Sequence, residues 1–215
     1  MIRVKICGLQ SVTQALATAK FGADYIGLVF APSSRQITQE NAVQITRALG
    51  SQKSRPAIVG VFVNLPAKQV NLISERCGLD YVQLSGDETF AYCQDIKLPV
   101  IKTIHVPASA LAQEIIQVIQ EGNRILSDFK ITYLLDTQYR HAYGGTGHVF
   151  NWQLAKEVSS IFPVIVAGGL TPNNVRLLID EVKPWGVDVS SGVETEGEKD
   201  LIKIKKFIKT IKSYC

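Results

Sequence analysis

The chain has 215 residues, 46% of them apolar and 20% charged. That balance excludes a disordered or fibrous polypeptide, and the length suffices to bury about 70% of the unfolded surface in one core. The net charge of +4 is concentrated at one end, since Lys199 to Cys215 carries six Lys and one Asp. With no interleaved aromatics and no recognition motif, this basic stretch gives no support for nucleic-acid binding. It reads instead as the solvated face of an amphipathic last helix, in which Leu201, Ile204, Ile208 and Ile211 recur every three or four residues.

The first residues, Met1 to Ile6, alternate like a strand and show neither a positive leader nor a cleavage site. A cytoplasmic chain without a targeting segment is the expectation. Apolar runs such as Tyr25 to Pro32 and Val59 to Val63 are far shorter than the roughly 20 residues of a spanning helix, so no membrane segment is expected. Cys7, Cys77, Cys93 and Cys215 fall at no metal-ligand or C-x-x-C spacing and are expected as free thiols.

Short β-branched runs predict strands at Ile2–Ile6, Tyr25–Phe30, Ala57–Val63, Tyr81–Leu84, Val100–Ile104, Tyr133–Leu135, Val164–Ala167 and Val187–Val189. Longer stretches of helical period lie between them. Ser11 to Gln14 has the form of a capping box, and Thr171-Pro172 places a cap residue before a first-turn proline. Leu111 to Lys130 carries helical period but no recognisable motif. The strand starts recur about every 26 residues, near the length of a βαβ unit. Eight such units without a linker predict one α/β domain over residues 1–215, a (β/α)₈ TIM barrel, with an open doubly wound sheet as the structural alternative.

A barrel keeps its site at the C-terminal ends of its strands, and here those exits are polar and rich in glycine. They deliver Cys7-Gly8, Pro32-Ser33-Ser34-Arg35, Asn64, Gln83-Leu84-Ser85-Gly86, Asp136 with Gly144-Gly145-Thr146-Gly147, Gly168-Gly169, and Ser190-Ser191-Gly192. The last two loops suit a phosphate, because glycine lets the backbone approach an anion and a following helix start offers unpaired N–H groups; tight βα turns are the plainer reading. Cys7 is either a small buried apolar residue or a catalytic thiol. Asp136 is either an ion-pair partner or a carboxylate at the site. Arg35 is either surface charge or a grip for a ligand carboxylate. His105, His141 and His148 share no helical face, so no metal site is expected. Period two places Lys5 on the Cys7 side of the first strand, about 6.6 Å away, where its charge favours a thiolate or pairs with an interior carboxylate.

Taken together, these motifs resemble the phosphoribosylanthranilate isomerase family. The matching residues are Lys5-Ile6-Cys7-Gly8, Gly22 to Phe30 with Ser33-Ser34-Arg35, Val59 to Asn64, Val82-Gln83-Leu84 with Gly86-Asp87-Glu88, Leu135-Asp136 with Gly144 to Gly147, Ala167 to Leu170, and Asp188 to Glu194 through Lys199-Asp200. They run in order over nearly the whole chain. The resemblance implies a cofactor-free Amadori rearrangement of N-(5-phosphoribosyl)anthranilate, a small-molecule substrate. It implies Cys7 as general base and Asp136 as general acid. Arg35 is then expected at the substrate carboxylate, and Gly168, Gly169, Ser190, Ser191 and Gly192 at its phosphate. Lys5, Asn64, Gln83, Gly145 and Thr146 complete the implied pocket. Many relatives carry His where this chain has Ser85, which removes an imidazole from the rim and predicts altered binding or rate. A monomer is expected, with a homodimer as the alternative. Competing readings are another phosphosugar barrel, such as an indole-glycerol-phosphate synthase or a ribulose-phosphate epimerase, and a non-catalytic phosphosugar sensor.

Overall fold

The computed structural model describes residues 1–50, 55–137 and 151–214. Its strands are β1 (Arg3–Cys7), β2 (Tyr25–Val29), β3 (Ala57–Phe62), β4 (Tyr81–Leu84), β5 (Val100–Val106), β6 (Ile131–Thr137), β7 (Val164–Val166) and β8 (Gly186–Val189). All neighbours pair in parallel, and β1 pairs with β8 as well as with β2, so the sheet closes on itself. Closure overturns the open-sheet alternative. The helices α1 (Val12–Phe21), α2 (Gln39–Gly50), α3 (Ala67–Cys77), α4 (Phe90–Cys93), α5 (Ala112–Ile125), α6 (Trp152–Ser159), α7 (Val175–Val182) and α8 (Leu201–Lys212) follow the strands in turn. A small antiparallel pair, β9 (Glu194–Thr195) and β10 (Glu198–Lys199), precedes α8. Among the described residues no helix is long and apolar enough to cross a membrane.

Period two sorts each strand between two environments. One set, including Val4, Ile6, Ile26, Leu28, Ile58, Val82 and Leu84, faces the helices and forms the main core. The other set fills the barrel, where Val59, Ile101, Leu134, Ile165 and Ala167 pack together with Tyr25 and Tyr81 against them. The two tyrosine rings meet edge to face with centroids 5.5 Å apart. Above this apolar plug the interior turns polar.

Three local readings are corrected by the structure. Ser11 Oγ accepts from the Gln14 N–H at 3.3 Å, but the Gln14 side chain reaches back to the N–H of Gln10, not Ser11. Thr171 caps a preceding turn through the Asn173 N–H, and α7 begins at Val175 after Asn174, whose side chain accepts from Thr171 N–H at 2.7 Å. The last helix starts after Asp200, whose carboxylate accepts from the Ile202 and Lys203 amides. Lys199 therefore does not belong to the solvated face; it is buried. The stretch from Leu111 to Lys130 does form a helix, opened by Glu114 accepting from the Leu111 N–H at 2.9 Å.

At the N-terminal end of the barrel, an aspartate just ahead of an even strand ties down the strand before it. Asp24 accepts from the Val4 N–H at 2.8 Å and pairs with Arg3 and with Lys212 of α8. Asp80 does the same with the Ile58 N–H and Arg55. Partial burial of Asp24 works against its charge, yet Lys212, the Val4 amide and Arg3 outweigh it and hold its pKa below the ordinary value. A depressed native pKa gives stability that is complete above the unfolded-state value of about 3.9 and fades as pH falls through the native one. Asp24→Asn is expected to lose about 1–2 kcal/mol at pH 7, with a smaller deficit at pH 3; urea unfolding at both pH values checks this.

Candidate active site

A cavity of about 700 Å³ opens at the C-terminal ends of the strands. Of the residues expected at the site, Cys7, Arg35, Gln83, Asp136, Gly168, Gly169, Ser190, Ser191 and Gly192 all line it. Lys5 lies just beneath. Asn64 is a correction: it is not among the lining residues, and its backbone, at a left-handed φ of 52°, clamps the loop after β4. Its N–H donates to Glu88 at 2.7 Å and its side-chain oxygen accepts from the Asp87 N–H at 2.8 Å. Gly145 and Thr146 fall outside the described residues.

Cys7 is the last residue of β1, and its thiol is buried at the floor of the cavity. Gly27 on the adjacent strand makes this possible, because a Cβ there would lie 2.7 Å from Cys7 Sγ and 3.2 Å from Lys5 Nζ. Lys5 is 1% exposed and its ammonium sits 3.1 Å from Asp188 on β8. The interior carboxylate that pairs with this lysine is Asp188, and the same ammonium also faces the Cys7 thiol. Burial acts to strip its proton, but Asp188 and Cys7 overcome that and raise its pKa above the ordinary value. For Cys7 the balance differs. Burial raises the thiol pKa and Asp188 adds to the rise, while Lys5 and Lys199 pull it down without cancelling it. With the cavity open, the thiol form is favoured.

The rim beside β2 and β8 is a chain of charge. Arg35 grips Glu194 with both arms, Nε and Nη2 each 2.7 Å from a carboxylate oxygen. Lys199 Nζ lies 2.5 Å from the same carboxylate and 2.9 Å from the Ser190 carbonyl oxygen. Burial raises the Glu194 pKa, yet Arg35 and Lys199 more than reverse it. Burial also lowers that of Lys199, only partly offset by Glu194. The Nη1 edge of Arg35 is not used in this pairing. Glu194 and Lys199 were part of the recognised motif, but no role followed for Lys199 because the last helix was started two residues too early.

The loops after β7 and β8 stand side by side. Gly168 and Gly169 have φ of 91° and 64°. Gly192 is obligatory for the close approach, since a Cβ there would overlap the Leu170 carbonyl oxygen. No protein acceptor among the described residues pairs with the amide N–H groups of Gly169, Ser191 or Gly192. Such a cluster of unpaired donors suits a bound phosphate.

The opposite wall holds hydrogen-bonding groups that period two alone does not assign. Gln83 Nε2 donates to Ser85 Oγ at 3.0 Å, and Ser85 and Thr103 hydroxyls lie 2.9 Å apart. Asp136 emerges inside β6, and His105 is its register partner on β5. His105 also lines the cavity. An imidazole therefore stands at the rim after all, supplied by β5 instead of position 85. The sequence reading ended this strand at Ile104; extended to Val106, period two would have turned His105 inward. No group of three His, Cys, Asp or Glu able to hold a metal ion occurs among the described residues.

Comparison with known proteins agrees with this architecture. A family model described as N-(5'phosphoribosyl)anthranilate (PRA) isomerase matches residues 4–210. The N-(5'-phosphoribosyl)anthranilate isomerase of Dehalococcoides mccartyi is 51% identical over 212 residues, covering 99% of this chain and 96% of the relative. The crystal structure of phosphoribosyl anthranilate isomerase from Thermotoga maritima is similar with a TM-score of 0.82 and 36% identity, covering 99% of this chain and 100% of that one. A structure of such an isomerase in complex with reduced 1-(o-carboxyphenylamino)-1-deoxyribulose 5-phosphate gives 0.79 and 35% at the same coverage. By sequence and by fold, the chain belongs to the N-(5'-phosphoribosyl)anthranilate isomerase family.

Proposed function

We propose that this chain acts as one catalytic domain that isomerises N-(5'-phosphoribosyl)anthranilate to 1-(2-carboxyphenylamino)-1-deoxyribulose 5-phosphate, in L-tryptophan biosynthesis. The observation that carries the reading is a thiol and a carboxyl group, Cys7 and Asp136, on one cavity that also holds a guanidinium and a pair of amide-rich loops. The substrate has a phosphate at one end and a carboxylate at the other. The loops at Gly168-Gly169 and Ser190-Ser191-Gly192 take the phosphate, and the Nη1 edge of Arg35 takes the anthranilate carboxylate. Gripping both ends lays the sugar across the cavity between base and acid, which contributes several kcal/mol of positioning.

The chemistry then needs one proton given and one taken. Asp136 in its acid form protonates the ring oxygen as the C1–O bond breaks, and the nitrogen lone pair forms the protonated imine. That electron-poor imine acidifies the C2 hydrogen, which the Cys7 thiolate removes to give an enolamine. Tautomerisation of the enolamine yields the ketone. Lys5 lies where its ammonium favours the thiolate, and substrate filling the cavity brings Cys7 up to the carbon it deprotonates.

Generating N-(5'-phosphoribosyl)anthranilate in situ and following the loss of its fluorescence tests the assignment. Rapid first-order loss on adding the purified protein is expected. Binding without turnover would overturn the isomerase reading in favour of a phosphosugar sensor.

A further inference from the structure

Arg35 reaches the cavity on a long side chain that lies across the exit of β1. A Cβ on Gly8 would stand 2.7 Å from Arg35 Cδ and 3.3 Å from Ser190 Oγ. The guanidinium closes Nε and Nη2 on the Glu194 carboxylate, whose side chain is 7% exposed. Glu194 opens β9 and follows directly on the Ser190 to Val193 loop. Opposite it in register on β10 stands Lys199. The Lys199 side chain is 2% exposed and donates both to Glu194 and to the Ser190 carbonyl oxygen, the latter at 2.9 Å. Ser190 Oγ in turn donates to the Cys7 carbonyl oxygen at 3.2 Å. One run of direct contacts therefore joins the guanidinium, the phosphate loop and the strand end that carries the thiol.

Resting on the isomerase reading, we propose that Glu194 is a positioning residue for the carboxylate end of the substrate, acting through Arg35. The β9–β10 hairpin is a bracket that sets the guanidinium at a fixed distance from the phosphate loop before substrate arrives. The need for it is physical. A flexible side chain that must be ordered as it grips a ligand weakens binding by a factor of about 2 to 10, and ordering it in advance spares the complex that loss. With Nε and Nη2 closed on Glu194, a second carboxylate meets the guanidinium through its Nη1 edge. The bracket is itself tied down, because Lys203 Nζ donates to the Glu194 carbonyl oxygen at 2.6 Å and the Asp200 N–H to that of Val193 at 2.9 Å. Lys199 supplies the charge. Arg35 and Glu194 alone cancel, whereas the two cations and one anion together leave one positive charge to attract the substrate carboxylate.

A plain ion pair makes the opposite prediction. Glu194 repels a second carboxylate brought to the same guanidinium, so if its one role were to neutralise Arg35, removing its charge would tighten anion binding. A bracket requires the reverse: binding weakens although the rim has become more positive. The two roles therefore differ in the sign of a single measurement.

The test measures by calorimetry the Kd of two compounds for wild type, Glu194→Gln and Glu194→Asp. One is reduced 1-(o-carboxyphenylamino)-1-deoxyribulose 5-phosphate; the other is its phenylamino counterpart, which has no carboxylate. Glu194→Gln is expected to weaken the carboxylated compound about three- to tenfold and to leave the other within about twofold. Glu194→Asp keeps every charge while shortening the arm by one methylene, so it answers the question even if the Gln variant does not fold; the same pattern is expected, with a smaller loss. Because the effect runs through Arg35, adding Glu194→Gln to Arg35→Ala should weaken binding little further. Tighter or unchanged binding of the carboxylated compound in both Glu194 variants would overturn the proposal. Equal weakening of both compounds would also overturn it, since that marks a general loosening of the loops. Wild-type turnover of N-(5'-phosphoribosyl)anthranilate is followed alongside: its absence counts against the isomerase reading, whereas turnover with no selective loss counts against the bracket alone.

Discussion

Cys7→Ala and Asp136→Asn are each expected to lower turnover of N-(5'-phosphoribosyl)anthranilate by about 10²-fold or more, with the melting temperature little changed. Neither side chain is a packing element whose loss would open the core. Cys7 fills the floor of an open cavity, and Asp136 lies only partly buried on its wall. Ala in place of Cys removes one sulfur atom beside Gly27, and Asn in place of Asp keeps shape while removing the transferable proton. Phosphate and carboxylate grips persist in both variants, so KM should change far less than kcat. Steady-state kinetics with thermal unfolding of each variant decides the matter. Unaltered kcat in either would remove that residue from the proton transfers.

Lys5→Met is expected to have the largest effect on stability, about 3–5 kcal/mol, because it strands the Asp188 carboxylate inside the barrel without its partner. Lys5→Met/Asp188→Val should recover most of that loss, since an apolar pair of similar volume carries no desolvation cost. The same double variant isolates the role of the ammonium toward Cys7. Lys5 lowers the thiol pKa more strongly than Asp188 raises it, so removing both shifts the Cys7 pKa further up. Alkylation of Cys7, read by mass spectrometry across pH, should then move to higher pH than in wild type. A stable double variant with an unshifted alkylation curve would show that Lys5 is present for the ion pair alone.

Much of this architecture was legible because the barrel writes itself in short β-branched runs. The strand Tyr81–Leu84 matches its prediction residue for residue, and the others differ at their ends by one or two residues. Those end residues matter more than their number suggests. Stopping the fifth strand at Ile104 hid His105, since a residue beyond a strand has no assigned face. Starting the last helix at Lys199 hid a buried lysine among surface lysines, when the true signal was the cap-forming Asp200. Thr171-Pro172 misled for a related reason: the Asn174 side chain accepts from the Thr171 amide while Thr171 accepts from Asn173, which makes a separate turn ahead of the helix at Val175. Nothing in spacing marked Asn64 as a loop clamp, because that role depends on Asp87 and Glu88 arriving from the next unit. Arg35 was correctly placed at the rim, but its bidentate partner Glu194 is 159 residues away and invisible to any local pattern.

The seam between β1 and β8 also fixes the order in which the protein can be completed during synthesis. Cys7 emerges from the ribosome long before the strand that flanks it on one side, which begins at Gly186. Until Asp188 arrives, Lys5 has no partner in the interior and stays hydrated, which keeps the barrel from sealing around it. A nascent chain halted short of Gly186 should therefore leave Cys7 open to rapid alkylation and bind no phosphosugar. The pocket comes into being only when β1 and β8 meet, so a chain cut short of Gly186 yields an inactive species and not a partly active one.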